Sequence, residues 1–408
     1  MSETTATEKR SWRETWQKIA MGSALTSVLA VVAALIVGAI LIAAADDQVQ
    51  KTAGYFFARP TDFLWAVCSK VGSAYAALFQ GAVINFGAAS ISEAFAPLMD
   101  TLSMSVPLIF AGLGLGMGFR AGLFNIGGQG QIIFGAIICG YIGFAVPMPP
   151  VLHMIVCVLG AFIGGALWGF IPGALKAWTG ANEVIVTIML NYIASYFLAF
   201  LLTLDAFQVP DSNVPVSPLI QSTARFPSFF GTRVDLGFVL AIAAAVGVWY
   251  LMERTTLGFS IRAVGLNPDA ARTAGMSVPG STIWVMVIAG GLAGLAATSQ
   301  LLSSASATLT AGIASTFGVD AITVALLGRS KPLGTVLAGL LFGGLRAGGY
   351  LMQVLTDTPI DVILVLQSVI VLLIAAPPLV RAIFRLPDPE RRKKKREKKA
   401  LKAREAVA

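Results

Sequence analysis

The chain is 408 residues long, 56% hydrophobic and only 12% charged. A soluble domain carries about a quarter charged residues, so this composition excludes an ordinary water-soluble fold. The formal charge of +8 does not indicate nucleic acid either: from Asp388 onward ten Lys/Arg stand against four Asp/Glu, and a basic tail over 386–408, solvated or facing lipid headgroups, carries most of the excess.

The elements follow as apolar runs of about 20 residues, the length that crosses a hydrocarbon core of about 30 Å. Residues 1–21 are polar and basic, with Lys9, Arg10, Arg13 and Lys18. Ten spans are then predicted, near 22–44, 98–118, 123–145, 151–174, 184–204, 236–252, 282–302, 310–328, 333–353 and 361–381. The first run lacks a small-residue cleavage pattern, so a retained span is expected there and not a cleaved signal peptide. Between the first two spans, segment 46–97 is expected outside. Its stretch AYAALFQGAVINF from Ala74 is amphipathic and suited to lying at the interface. Glycine is plentiful, at 42 residues, as close packing of transmembrane helices requires.

Orientation follows from the loop charges. An even number of spans puts both termini on one side, with Arg120, Lys176, Arg254, Arg262, Arg272, Arg329, Lys331, Arg381 and Arg385 as well as the N-terminal cluster. The other side has Lys51, Arg59, Lys70, Arg225 and Arg233. That bias places both termini in the cytoplasm. The fold class is thus an all-α polytopic membrane protein, with a transmembrane domain over 22–385 between a cytoplasmic N-terminus (1–21) and a cytoplasmic basic tail. Loop 205–235 falls outside; Pro210, Pro215, Pro218 and Pro227 make it stiff and irregular, either a simple bridge between helix ends or a docking surface. Loop 253–281 falls inside.

Polar residues at unusual places mark the candidate functional positions. After Arg120, a topological anchor, Asn125, Gln129 and Gln131 stand among Gly127, Gly128 and Gly130 at the start of a span. Irregular backbone at membrane depth is tolerated where it is buried in protein or lines a cavity, so this turn is either close helix packing or part of a path or gate. Asn182 and Glu183 open the fifth span, where an N-cap and a first-turn acid suit the helix dipole without any transport role; Asn191, deeper in that span, meets solute or bonds a neighbouring helix. Asp320 and Arg346 lie on adjacent predicted spans, at similar shallow depth counted from their outer ends, and are expected to pair, because each charge alone is costly in lipid. A weak echo between NEVIVTIML at Asn182 and VDAITVALL at Val319 allows an inverted repeat.

Several chemistries are not indicated. The chain has no GxxxxGK[ST] phosphate loop, no HExxH and no Ser/His/Asp constellation, and a single His153 builds no metal site. Cys68, Cys139 and Cys157 do not form a disulfide framework. An ion-coupled secondary transporter would carry acids near the middle of broken helices, whereas Glu183, Asp320 and Asp361 fall near predicted span ends.

Four blocks, FRAGLFNIGGQGQ, GANEVIVTIMLNYIA, TTLGFSIRAVGLNPDAARTAGMSV and FGVDAITVALLGRSKPLGTVLAGLLFGGLRAG, together resemble permease subunits of bacterial ABC importers in the ribose and branched-chain amino-acid permease superfamily. The likeness is strongest to permeases of nucleoside and simple-sugar importers, and runs from the first span to the last. It implies a multi-pass protein of the bacterial inner membrane that forms the path for a small polar solute, a nucleoside or simple sugar, with a branched-chain amino acid as the alternative cargo. It implies partners: an ABC ATPase that binds ATP and Mg, a second and different permease, and a solute-binding lipoprotein; no cofactor is expected on this chain. It also implies that Asn267, Pro268, Asp269, Ala270, Ala271, Arg272 and Gly275 form the segment that couples to the ATPase. The family usually has an acid where this chain has Gln129, and the basic tail is not part of its pattern.

Overall fold

The computed structural model describes residues 23–210, 214–229, 233–303, 307–359 and 361–385. The N-terminal segment 1–21 and the basic tail 386–408 lie outside the described residues. Everything regular among the described residues is helix, and eight helices are long and apolar enough to cross a membrane.

The chain divides into two units. The smaller comprises 1–71 and 361–408. In it α1 (Ser23–Ala45) packs on α14 (Asp361–Ala375) and α15 (Pro377–Ile383), around Ala30, Ala33, Leu373 and Val380. Pro377 and Pro378 close α14 at Ala375, so the predicted span 361–381 is two helices and not one. Asp46 caps α2 (Asp47–Ala53) and is ion-paired with Lys70 at 2.8 Å. That ammonium, hydrogen-bonded to Asp46, holds its carboxyl below the usual carboxylate range.

The larger unit, 72–360, holds the end of α3 (Pro60–Ala82) and then α4 (Ile91–Arg120), α5 (Gly128–Ala145), α6 (Pro150–Thr179), α7 (Glu183–Leu201), α8 (Leu236–Arg254), α9 (Thr256–Leu266), α10 (Pro268–Thr273), α11 (Val278–Leu301), α12 (Phe317–Leu327) and α13 (Pro332–Thr356). Its centre is the α6–α11 crossing, where small residues let two backbones touch. A Cβ on Gly165 would lie 2.2 Å from the Gly290 carbonyl oxygen, and one on Gly294 would lie 2.3 Å from that of Ala161. Gly165-x3-Gly169 and Gly290-x3-Gly294 each put two glycines on one helix face, so the contact is van der Waals packing of main chain on main chain. Around it close α4, α5 and the buried side chains of Phe110, Leu113, Ile132 and Ile133.

Two spans differ from their predicted limits for the same reason. α5 begins at Gly128, not 123, and α12 begins at Phe317, not 310, because each is preceded by irregular backbone, 121–127 and 307–316. α12 is only 11 residues long. In segment 46–97 the amphipathic stretch is the last part of the 23-residue helix α3, whose end is seated on the bundle: Thr101 donates to the Ala82 carbonyl at 2.6 Å, and Gly81 abuts Gly348.

Loop 205–235 is tied down among its described residues. Ser217, Ile220 and Phe226 donate backbone N–H to Leu309, Ala307 and Leu302 at 3.0, 2.8 and 2.8 Å. The ring of His153 bridges Thr223 Oγ1 (2.8 Å) and the Ile142 carbonyl (3.0 Å), which gives the buried histidine a structural place. Among the described residues no group of three or more His, Cys, Asp or Glu stands together as metal ligands.

Candidate coupling and translocation site

Residues 253–281 fold as α9, α10 and the approach to α11. Thr255 caps α9, and Asn267 ends it in extended backbone (φ −158°) while starting α10. The Asn267 side chain accepts from the N–H groups of Asp269 and Ala270, both at 3.0 Å, and Pro268 occupies the first helical position, where no N–H is missed. At the other end Gly275 adopts φ +79°; its N–H reaches the Arg272 carbonyl and that of Met276 reaches Ala271, both at 3.0 Å. This is a Schellman close. Six residues with both ends fixed present a rigid, exposed knob: Ala271 alone of them faces inward, and Asp269 and Arg272 point out, 3.6 Å apart as an ion pair. Leu266, 89% exposed, sits beside it.

The amides after Arg120 hold the irregular backbone in place. Asn125 is fully buried; its Oδ1 accepts from Gly127 N–H at 2.8 Å and its Nδ2 donates to Gln131 Oε1 at 3.3 Å. From α7, Asn191 accepts from Gly130 N–H (2.8 Å) and donates to the Ile126 carbonyl (2.9 Å), and Thr187 accepts from Ile126 N–H at 3.3 Å. These side chains replace the bonds that a helix would have made. Asn125 and Gln131 thus bond each other and the loop's own backbone. Gln129 is half-buried and its turn is seated on α12: a Cβ on Gly318 would lie 2.4 Å from the Gln129 nitrogen. Asn182 caps α7, accepting from Val184 and Ile185 N–H at 2.9 and 3.3 Å. Glu183 is ion-paired with Lys176 at 2.8 Å and takes a long 3.5 Å bond from Phe124 N–H.

The structure brings Asp320 and Arg346 together. Arg346 donates to Asp320 and to Thr316, Thr316 also donates to Asp320 at 2.8 Å, and the guanidinium lies 4.6 Å over the Phe317 ring. Both side chains are mostly covered, at 17% and 16% exposure. α13 runs from Pro332 to Thr356, so Arg346 lies two residues from its midpoint, about 3 Å along the axis. Asp320 is in the first turn of α12, so the pair ties the start of that short helix to the middle of α13. One turn beyond Arg346, Tyr350 lines a cleft of about 340 Å³ with Asn85, Glu93 and Asp100, and Arg233 reaches Asp100 at 3.4 Å.

The sequence reading passed over Glu253, the acid that ends α8 and bonds both Arg120 and Arg262. An acid closing an otherwise apolar span, with arginines in two neighbouring connections, was the available signal.

Residues 98–375 match the family described as branched-chain amino acid transport system, permease component. The chain belongs to this family. Among relatives, it is 36% identical over 287 residues to the guanosine ABC transporter permease protein NupP of Bacillus subtilis, covering 70% of this chain and 82% of that one. It is 36% identical over 324 residues to the nucleoside ABC transporter permease protein NupB of Lactococcus lactis, covering 76% and 84%. Identity to the glucose ABC transporter permease protein TsgB13 of Haloferax volcanii is 33% over 286 residues, covering 67% and 75%. No solved structure matches the chain. The protein is a permease subunit of an ABC importer, a multi-pass integral protein of the bacterial inner membrane that forms a translocation path.

Proposed function

We propose that this permease carries a nucleoside or simple sugar inward, driven by ATP hydrolysis in a separate ABC ATPase that engages the segment Asn267–Gly275. The observation that carries the coupling assignment is α10 itself: six residues capped at both ends, exposed but for Ala271, and joined to the bundle through α9. Small Ala270 and Ala271 allow close seating in a partner's groove, and Asp269 and Arg272 offer charges of both signs. Names of relatives supply the solute class, guanosine and nucleosides first, glucose next. Such solutes carry several hydroxyl groups, which the carboxylates, amide and phenol of the cleft at Tyr350 suit as acceptors and donors.

In this reading ATP and Mg sit on the ATPase, this chain binds no cofactor, a second and different permease completes the path, and a solute-binding lipoprotein delivers cargo near loop 205–235. Asn125, Gln129, Gln131, Asn182, Glu183 and Asn191 act as the frame of a gate. The test is competition: uptake of radiolabelled guanosine by proteoliposomes holding the whole importer, challenged with nucleosides, glucose and leucine. Displacement by nucleosides or sugar supports the assignment. Displacement by leucine alone would move the cargo to branched-chain amino acids.

A further inference from the structure

Three helices meet at one carboxylate. Glu253 Oε1 accepts from Arg120 Nη1 at 2.8 Å, and Oε2 accepts from Arg262 Nη1 at 2.7 Å. Arg120 is the last residue of α4, Glu253 is in the last turn of α8, and Arg262 is on α9; Arg262 also donates to the Met252 carbonyl. Main-chain contacts close the same junction. A Cβ on Gly258 would lie 2.1 Å from the Leu251 carbonyl oxygen, so α9 folds back tightly on α8. A Cβ on Gly265 would lie 2.2 Å from the Arg120 carbonyl oxygen, and Gly122, at φ +71°, would put one 3.2 Å from the Gly265 carbonyl oxygen. No side chain fits between α9 and the turn 120–122.

Both ends of this junction lead somewhere. α9 runs directly into Asn267, the cap of α10. The turn 120–122 runs in five residues to Gly127 and Gly128, where α5 begins against Gly318 of α12, two residues before Asp320. Backbone-to-backbone contacts are bistable and not compressible, so displacement of α10 has a short stiff route into the bundle.

We propose that the Arg120–Glu253–Arg262 clamp, with the Gly265–Gly122 contact, is the strut that carries motion of the coupling segment into loop 121–131. Glu253 is then a positioning residue for translocation and takes no part in docking the ATPase. The inference rests on the coupling assignment above. Glu253 itself is 40% exposed, and an ion pair with one partner open to solvent contributes little to folding, so replacing Glu253 removes the linkage and leaves the bundle assembled.

The experiment uses the full permease–ATPase complex with Cys68, Cys139 and Cys157 replaced by alanine and Phe124→Cys as reporter in the loop. Maleimide labelling is timed with and without a non-hydrolysable ATP analogue. The analogue is expected to change the labelling rate at least three-fold. Glu253→Gln or Arg262→Gln is expected to abolish that change while the ATPase still co-purifies, and Arg262→Lys to restore it; the double Gln variant behaves as either single one. A nucleotide response that survives Glu253→Gln overturns the strut, as does loss of the ATPase from the complex, which would make Glu253 a docking residue. Gly275→Val separates the two readings. If it alone abolishes the response, the coupling assignment stands and the strut falls; if no variant alters the response, the coupling assignment itself falls.

Discussion

At φ +79°, with nothing within 4 Å of the place where a Cβ would stand, Gly275 is held to glycine by backbone conformation and not by space. The left-handed region costs an ordinary L-residue roughly 1–2 kcal/mol, and asparagine visits it more readily than a β-branched residue. Gly275→Asn is therefore expected to keep most uptake, and Gly275→Val to uncouple ATP hydrolysis from uptake with unchanged membrane levels, read by immunoblot beside the transport assay. Equal activity of both variants would count against α10 as a rigid knob. The same scale decides the Asp320–Arg346 ion pair. Removing one partner leaves the other mostly covered and unpaired, at up to roughly 2.5–3.5 kcal/mol on insertion scales. Asp320→Asn with Arg346→Gln together should give a higher melting temperature in detergent than Arg346→Gln alone. The pairing was legible because two charges on adjacent apolar spans have few other places to go. The start of α12 was not, since apolar runs do not show where irregular backbone gives way to helix.

The elements explain which parts of the site could be read from residues alone. Asn182 as a cap, Pro268 and Gly275 as the limits of a short helix, and the glycine-rich faces of α6 and α11 all follow from local rules that act over four or five residues. The amides Asn125, Gln131 and Asn191 were legible as unusual, but their partners were not: Asn191 meets Ile126 and Gly130, more than sixty positions back along the chain. Glu253 was missed for that reason, its arginine Arg120 being 133 positions away. The amphipathic stretch from Ala74 was legible, but not that it continues a helix beginning at Pro60, because Asp62 and Lys70 lower the apolar signal upstream. Asn191 offers an element-level test. Asn191→Leu leaves the Gly130 N–H and the Ile126 carbonyl buried without partners, at about 1–3 kcal/mol each. Hydrogen exchange in 124–131 is expected to accelerate well before that of α6 or α11; uniform protection would show that α7 does not hold the loop.

At the scale of the molecule, this chain has the parts of a conduit and a lever. Irregular backbone interrupts the larger unit at 121–127 and at 307–316, and the two stretches end where α5 and α12 touch at Gly128 and Gly318. Broken helices that meet inside a bundle are places where a path opens and closes with small movements. Energy for those movements comes, in this account, through α10. Solute accumulation measured in proteoliposomes, with and without the ABC ATPase and with ATP inside, tests this most directly. The account predicts uptake against a gradient only when the ATPase and ATP are both present. Uptake by the permeases alone, driven by a proton or sodium gradient, would contradict it.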